Sequence, residues 1–140
     1  ITQGKHIAIL NFGARLNECK KASENLEKKG ITTTIFDARF AKPLDDKAII
    51  ELASSHELIL TIEEGSIGGF GSHVSKLLSE RGFFDKGLKF RSMFLPDKFL
   101  DQDTPEKMYK SAGLDYEGIV QKIESTLNSN IVIAKNKNLS

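Results

Sequence analysis

Two acids and four glycines follow one apolar stretch of this chain, and their spacing is where ligand chemistry is first expected. The segment reads Glu63-Glu64-Gly65-Ser66-Ile67-Gly68-Gly69-Phe70-Gly71-Ser72. A glycine loop between a strand and a helix can bind an anion on backbone amides. The spacing here is neither G-x-G-x-x-G nor the phosphate-loop pattern that ends in Gly-Lys-Ser/Thr, and the two acids would repel a phosphate. The pattern therefore favours a tight turn that packs against another protein surface, with Phe70 as an aromatic anchor.

Carboxylates and imidazoles are the next candidates, as acid-base pairs or metal ligands. Glu63 and Glu64 are neighbours in the sequence. Adjacent side chains on a strand point to opposite faces, so at most one of the two could act on a substrate. The three histidines lack the H-x-x-x-H spacing of a metal site; they are His6, His56 and His73. We predict no metal-binding residue in this chain.

The possible nucleophiles and the isolated arginine also favour structural roles. Cys19 falls on the core-facing side of a helical pattern, as a small buried apolar group would. Ser66 and Ser72 lack the G-x-S-x-G turn of many hydrolases. Arg39 could bind a carboxylate or phosphate through two N–H groups, but an ion pair with a nearby acid is the favoured interpretation. We therefore predict no catalytic and no cofactor-binding residue.

Composition limits the class of partner. The chain has 140 residues, with 20 lysines and arginines against 19 acids and a net charge of +1. This length allows one domain with its own core, and the interspersed charges give no sign of a nucleic-acid or membrane partner. No apolar run reaches the roughly 20 residues of a membrane helix, and a single cysteine suits a reducing compartment, so we expect a cytoplasmic protein. Since the sequence begins at Ile1 without methionine, we also expect a piece of a longer polypeptide.

Strand patterns recur along the chain and must position the glycine loop. Apolar, β-branched or aromatic stretches predict four strands, at 6–12, 31–36, 57–62 and 88–95. Their apolar character on successive residues is typical of strands that are covered on both faces. The loop then follows the carboxyl end of the third strand, where ligands bind in open α/β sheets.

Helical spacing alternates with these strands. It predicts a first helix from Leu16 to a stop at Gly30, a second that begins at the acidic pair Asp45-Asp46 and runs to about Ser55, and a third around 73–78. A helix start is predicted at 104–106 and a last helix at 116–127. These elements predict a three-layer α/β/α domain with a mostly parallel sheet. The tail at 128–140 is left open as an extension, a strand or a packing artefact.

Five runs in this order resemble one known family. They are AILNFG at 8–13, DARFAKPLD at 37–45, IEEGSIGGFGSH at 62–73, LPDKF at 95–99 and AGLD at 112–115. Together they resemble the C-terminal domain of the 1-deoxy-D-xylulose-5-phosphate synthases. The resemblance covers about 5–127 and implies a transketolase-type C-terminal domain at 1–127, followed by a separate tail at 128–140. It also implies a five-stranded mixed sheet whose first, antiparallel edge strand is truncated here, with Ile1-Thr2 as its remnant.

The resemblance implies an activity for the parent enzyme only. Enzymes of this family use thiamine diphosphate and Mg²⁺ to decarboxylate pyruvate and join the two-carbon unit to D-glyceraldehyde 3-phosphate. The product feeds isoprenoid and thiamine synthesis. The family holds its cofactor and its catalytic glutamate in the other two domains, and this chain has no G-D-G motif with a downstream asparagine. We therefore expect no cofactor in this fragment and no catalysis by it alone.

The resemblance also implies the partners of the domain. They are the remaining domains of the same polypeptide and a second identical subunit, in the cytoplasm of a bacterium or in a plastid stroma. Eight residues are candidates for this domain and dimer interface: Arg39, Pro43, Glu64, Gly65, Gly68, Gly69, Phe70 and Gly71.

Two alternatives stay open. The parent could be another thiamine-diphosphate enzyme, a transketolase or the β subunit of a 2-oxoacid dehydrogenase, although the full IEEGSIGGFGS run favours the synthase. The chain could instead be a free-standing module that binds a small anion at 65–72.

Overall fold

The computed structural model describes residues 5–13, 15–38, 46–63, 69–94, 107, 110 and 113–139, with backbone alone for 5 and 129–139. The elements in chain order are β1 (Lys5–Phe12), α1 (Leu16–Glu27), β2 (Ile31–Asp37), α2 (Asp46–Ser55), β3 (Leu58–Glu63), α3 (Phe70–Glu80), β4 (Lys89–Phe94) and α4 (Tyr116–Leu139). One 3₁₀ turn, Phe84–Lys86, precedes β4. None of these described helices is both long enough and apolar enough to cross a membrane.

The sheet has the order β2-β1-β3-β4, and every described strand pair is parallel. Ile9 lies opposite Ile35 on one side and Leu60 on the other. The predicted α/β class is confirmed, but the described sheet is entirely parallel where a mixed sheet was expected. The antiparallel edge strand was expected at Ile1-Thr2, which lies outside the described residues.

Both faces of the sheet are buried because each central strand is apolar on both sides. Ile7, Ile9 and Leu60 pack on one face against α1 and α4. Ala8, Leu10 and Ile59 pack on the other face against α2 and α3. This is the layered arrangement that parallel strands require, because a crossover helix covers each face.

The helices follow their predicted apolar stripes. In α1 the buried side chains are Cys19, Ala22 and Leu26, and the helix gives way at Gly30, which has a φ of +82°. A left-handed residue after the last turn is the usual way for glycine to end a helix. The predicted helix start at 104–106 lies outside the described residues.

Two predicted boundaries are wrong. The third strand ends at Glu63, so this acid belongs to the strand, although we expected it to follow the strand. The last helix was predicted to end at 127, but α4 runs to Leu139. The segment 128–139 contains no glycine or proline, so its sequence has neither of the strong signals that end a helix.

The start of α4 packs directly on the turn before it. A Cβ atom at Gly118 would lie 2.0 Å from the carbonyl oxygen of Gly113, which has a φ of +75°. The side chain of Asp115 accepts a hydrogen bond from the Gly118 N–H at 3.0 Å, as an N-cap residue does. Any side chain at 118 would therefore force the turn and the helix apart.

We expect Gly118→Ala to lower the free energy of unfolding by about 1–3 kcal/mol, the usual cost of overpacking. Helix propensity alone gives the opposite sign, since alanine is favoured over glycine by about 1 kcal/mol inside a helix. Urea unfolding followed by circular dichroism measures the change. Gln121→Ala, at an exposed position of the same helix, should stay within about 0.5 kcal/mol of the parent chain. Unchanged or raised stability of Gly118→Ala would contradict this packing.

Candidate functional site

The predicted interface residues divide into those that the structure describes and those that it does not. Gly69, Phe70 and Gly71 are described and form the start of α3, at the carboxyl end of β3. The other five candidates lie outside the described residues; they are Arg39, Pro43, Glu64, Gly65 and Gly68. The described part of the candidate site is therefore the junction between β3 and α3.

A buried carboxylate forms this junction. Glu63 is the last residue of β3 and is only 5% exposed. Its Oε1 accepts a hydrogen bond from the Phe70 N–H at 3.2 Å, and its Oε2 accepts one from the Gly71 N–H at 2.5 Å. The first N–H groups of a helix have no partner within the helix, and the helix dipole favours a negative charge beside them. Glu63 thus caps α3 from the neighbouring strand, because Gly69 at the N-cap has no side chain.

This contact occupies the place that an external anion would take. Two amides in the first turn of α3, those of Phe70 and Gly71, already donate to Glu63. A phosphate there would have to displace the Glu63 carboxylate. A buried carboxylate without its hydrogen bonds is costly in free energy. The geometry therefore disfavours the anion-binding module as an explanation for the glycine loop.

Gly71 is needed because the first turn of α3 packs closely on the sheet. A Cβ atom at this position would lie 2.6 Å from Ser92 Oγ, 2.9 Å from Thr61 Oγ1 and 3.1 Å from Glu63 Oε2. Thr61 and Ser92 are cross-strand neighbours in β3 and β4, so this polar cluster spans two strands. Thr61 is fully buried, and its hydroxyl oxygen has no hydrogen-bond partner among the described residues.

Phe70 packs inside the domain. Its side chain is 7% exposed, and its ring stacks on Phe12 with the centroids 5.2 Å apart and an angle of 18° between the ring planes. The ring therefore joins the start of α3 to the end of β1. A role of Phe70 in a domain or dimer interface stays a prediction, and its substitution would disturb the core as well.

A second buried polar group lies at the end of β1. Asn11 is fully buried and its Nδ2 donates to the Gly13 carbonyl oxygen at 3.1 Å, while Oδ1 has no partner in the described part of the chain. The chain adds β2 on one side of β1, and β3 and β4 on the other, so the direction of winding changes between β1 and β3. Open α/β sheets form their ligand crevice at such a point. Sequence reasoning gave Asn11 no separate role. A polar residue within an otherwise apolar strand was the signal that could have indicated a role for Asn11.

The other candidates for chemistry have structural environments. Cys19 is buried, and desolvation by that burial raises the pKa of its thiol to about 12, so it is protonated at neutral pH. His56 makes hydrogen-bond contacts with the Leu52 carbonyl oxygen and with Thr34 Oγ1, both at 2.8 Å. His73 lies 3.7 Å from Asp46. Within the described residues, no three His, Cys, Asp or Glu side chains are grouped as metal ligands.

We expect Glu63→Gln to lower the free energy of unfolding by about 1–3 kcal/mol, because the amide NH₂ would face a helix N–H that needs an acceptor. Amide hydrogen exchange should accelerate most at Phe70 and Gly71. The matched control is Glu51→Gln, at an exposed position of α2, which should change stability by less than about 0.5 kcal/mol. Equal effects of the two substitutions would show that Glu63 is not the cap of α3.

Comparisons with known proteins give the following matches. Residues 1–119 match the family model described as "Transketolase, C-terminal domain". A solved structure described as "Split gene transketolase, inactive beta4 tetramer" superposes with a TM-score of 0.77 and 28% sequence identity, over 91% of this chain and 41% of that chain. A mutant flavo di-iron protein from Thermotoga maritima gives a TM-score of only 0.37 at 19% identity, over 86% of this chain and 35% of that one. The chain thus spans less than half the length of either solved chain.

Proposed function

This chain belongs to the transketolase C-terminal domain family, and we propose that it is the C-terminal domain of a 1-deoxy-D-xylulose-5-phosphate synthase. The match over 1–119 supports a thiamine-diphosphate-dependent parent enzyme. The narrower proposal rests on the five sequence runs, above all IEEGSIGGFGSH at 62–73. The parent would release CO₂ from pyruvate and form a carbon–carbon bond between the remaining two-carbon unit and the aldehyde carbon of D-glyceraldehyde 3-phosphate.

The described residues do not fit a binding site for thiamine diphosphate and Mg²⁺. They contain no cluster of carboxylate or imidazole ligands, and the start of α3 already binds Glu63. When bound, the cofactor supplies an electron sink for the decarboxylation. We propose that the domains outside this chain bind it, which agrees with the 41% share of the solved transketolase chain that this chain covers.

The proposed role of this domain is to pack on the rest of the enzyme and on a second identical subunit. The loop at 64–68 leaves β3 at Glu63 and enters α3 at Gly69. The carboxylate of Glu63 joins these two ends, because it binds the amides of Phe70 and Gly71. An interface loop that is fixed at its base loses less conformational entropy when it binds a partner.

Activity of the native polypeptide tests the identity of the parent. An antibody against this chain should detect a protein larger than 15.5 kDa in the source organism. We expect the purified protein, supplied with thiamine diphosphate and Mg²⁺, to form 1-deoxy-D-xylulose 5-phosphate from pyruvate and D-glyceraldehyde 3-phosphate. Ketol transfer between sugar phosphates would make it a transketolase, and oxidative decarboxylation with a lipoyl acceptor would make it a 2-oxoacid dehydrogenase subunit. An inactive protein of 15.5 kDa would overturn the proposal.

Substitution of Gly69 tests the interface. This residue is exposed, and its φ of −84° and ψ of −129° lie outside the usual α and β regions, so circular dichroism of each full-length variant first checks that the domain is folded. In the full-length enzyme we expect Gly69→Arg to raise the dimer dissociation constant about tenfold or more, as a bulky charge in a packed interface does. Sedimentation equilibrium measures the change. Ser79→Arg, exposed at the far end of α3, is the control. Unchanged dimerisation and turnover of Gly69→Arg would remove this loop from the interface.

A further inference from the structure

A basic groove lies on the opposite helical layer from α3. It has a volume of about 670 Å³ and runs between the exposed side of α1 and the start of α4. Among the described residues that line it, five are cationic: Arg15, Lys20, Lys21, Lys107 and Lys110. Three are acidic: Glu18, Glu24 and Asp115. Over this described lining the cations exceed the acids by two, whereas the whole chain carries a net charge of +1.

Two of the three acids are committed to contacts within the protein. Glu18 is 17% exposed and its Oε1 accepts a hydrogen bond from the Tyr116 N–H at 3.2 Å. The same carboxylate lies 3.3 Å from Lys21 Nζ and 3.8 Å from the Arg15 guanidinium. Asp115 accepts from the Gly118 N–H at the start of α4. Glu18 therefore joins α1 to the start of α4 and is paired with two of the cations, whereas Asp115 caps α4.

Lysines on the two walls remain available to a ligand. Lys20 on α1 and Lys110 on the other wall are both exposed, and neither forms an ion pair with the described residues.

We propose that this groove binds a small phosphorylated molecule that carries at least two negative charges. Lys20 and Lys110 contact its phosphate groups from opposite walls. The volume lies within the roughly 300–1,000 Å³ of small-molecule sites. A ligand with one anionic group would contact only one wall, whereas a ligand with two phosphates can contact lysines on both. The proposal does not depend on the reaction of the parent enzyme.

Isothermal titration calorimetry on the native full-length polypeptide, saturated with thiamine diphosphate and Mg²⁺, tests this site. The probe is D-fructose 1,6-bisphosphate, with fructose and citrate as uncharged and polycarboxylate controls. We expect saturable binding of the bisphosphate, weakened by added NaCl, and no comparable binding of either control. Binding of citrate with the same affinity would overturn the assignment to phosphates.

Two double substitutions test whether the bisphosphate binds in this groove. The double substitution Lys20→Gln with Lys110→Gln should weaken bisphosphate binding about tenfold, while thermal unfolding stays unchanged because both side chains are exposed. The matched control is Lys47→Gln with Lys76→Gln, which removes two exposed lysines from the α2 and α3 layer. Equal losses in the two double variants, or no binding to the unaltered protein, would overturn the proposal. Capture of an acidic protein segment by the groove in place of the bisphosphate would also overturn it.

Discussion

The pairing of the buried Glu63 carboxylate with two backbone N–H groups of α3 is the contact on which this end of the fold depends. It joins the carboxyl end of a central strand to the first turn of the helix that follows. Because the turn must approach the sheet closely for this contact, position 71 has no room for a Cβ. The stacked rings of Phe12 and Phe70 exclude water from the same junction and connect it to β1. A charged group is stable in this setting only because it is hydrogen-bonded and lies beside a helix dipole.

Elements could be predicted from sequence where local spacing carries the signal. The apolar runs of β1 and β3, and the stripe of Cys19, Ala22 and Leu26, have periodicities that one helix or strand fixes by itself. The role of Glu63 could not be predicted in this way, because its partners Phe70 and Gly71 lie across a loop and depend on tertiary packing. The end of α4 was missed for a related reason, since the asparagines after 127 are weak helix formers but do not stop a helix.

Several buried or half-buried polar side chains among the described residues fix the positions of the helices. Glu18 on α1 accepts from the start of α4, and Asp115 caps that helix. The two surfaces proposed for binding lie on different helical layers, one at the start of α3 and one beside α1. A ligand in the groove and a protein partner at the glycine loop could therefore bind at the same time.

The parallel pairing of the described strands also determines the order in which the chain can become protected during synthesis. The centre of β1 pairs with β2 on one edge and β3 on the other, so Ile9 contacts both Ile35 and Leu60. A ribosome that has delivered only the first βαβ unit leaves the second edge of a largely apolar strand unpaired. Exposed edges of this kind are sites of aggregation, and long-range parallel pairing is slow to form. The nascent chain is therefore most prone to aggregation in the interval before β3 emerges. A chaperone would cover the largest exposed apolar surface during that interval.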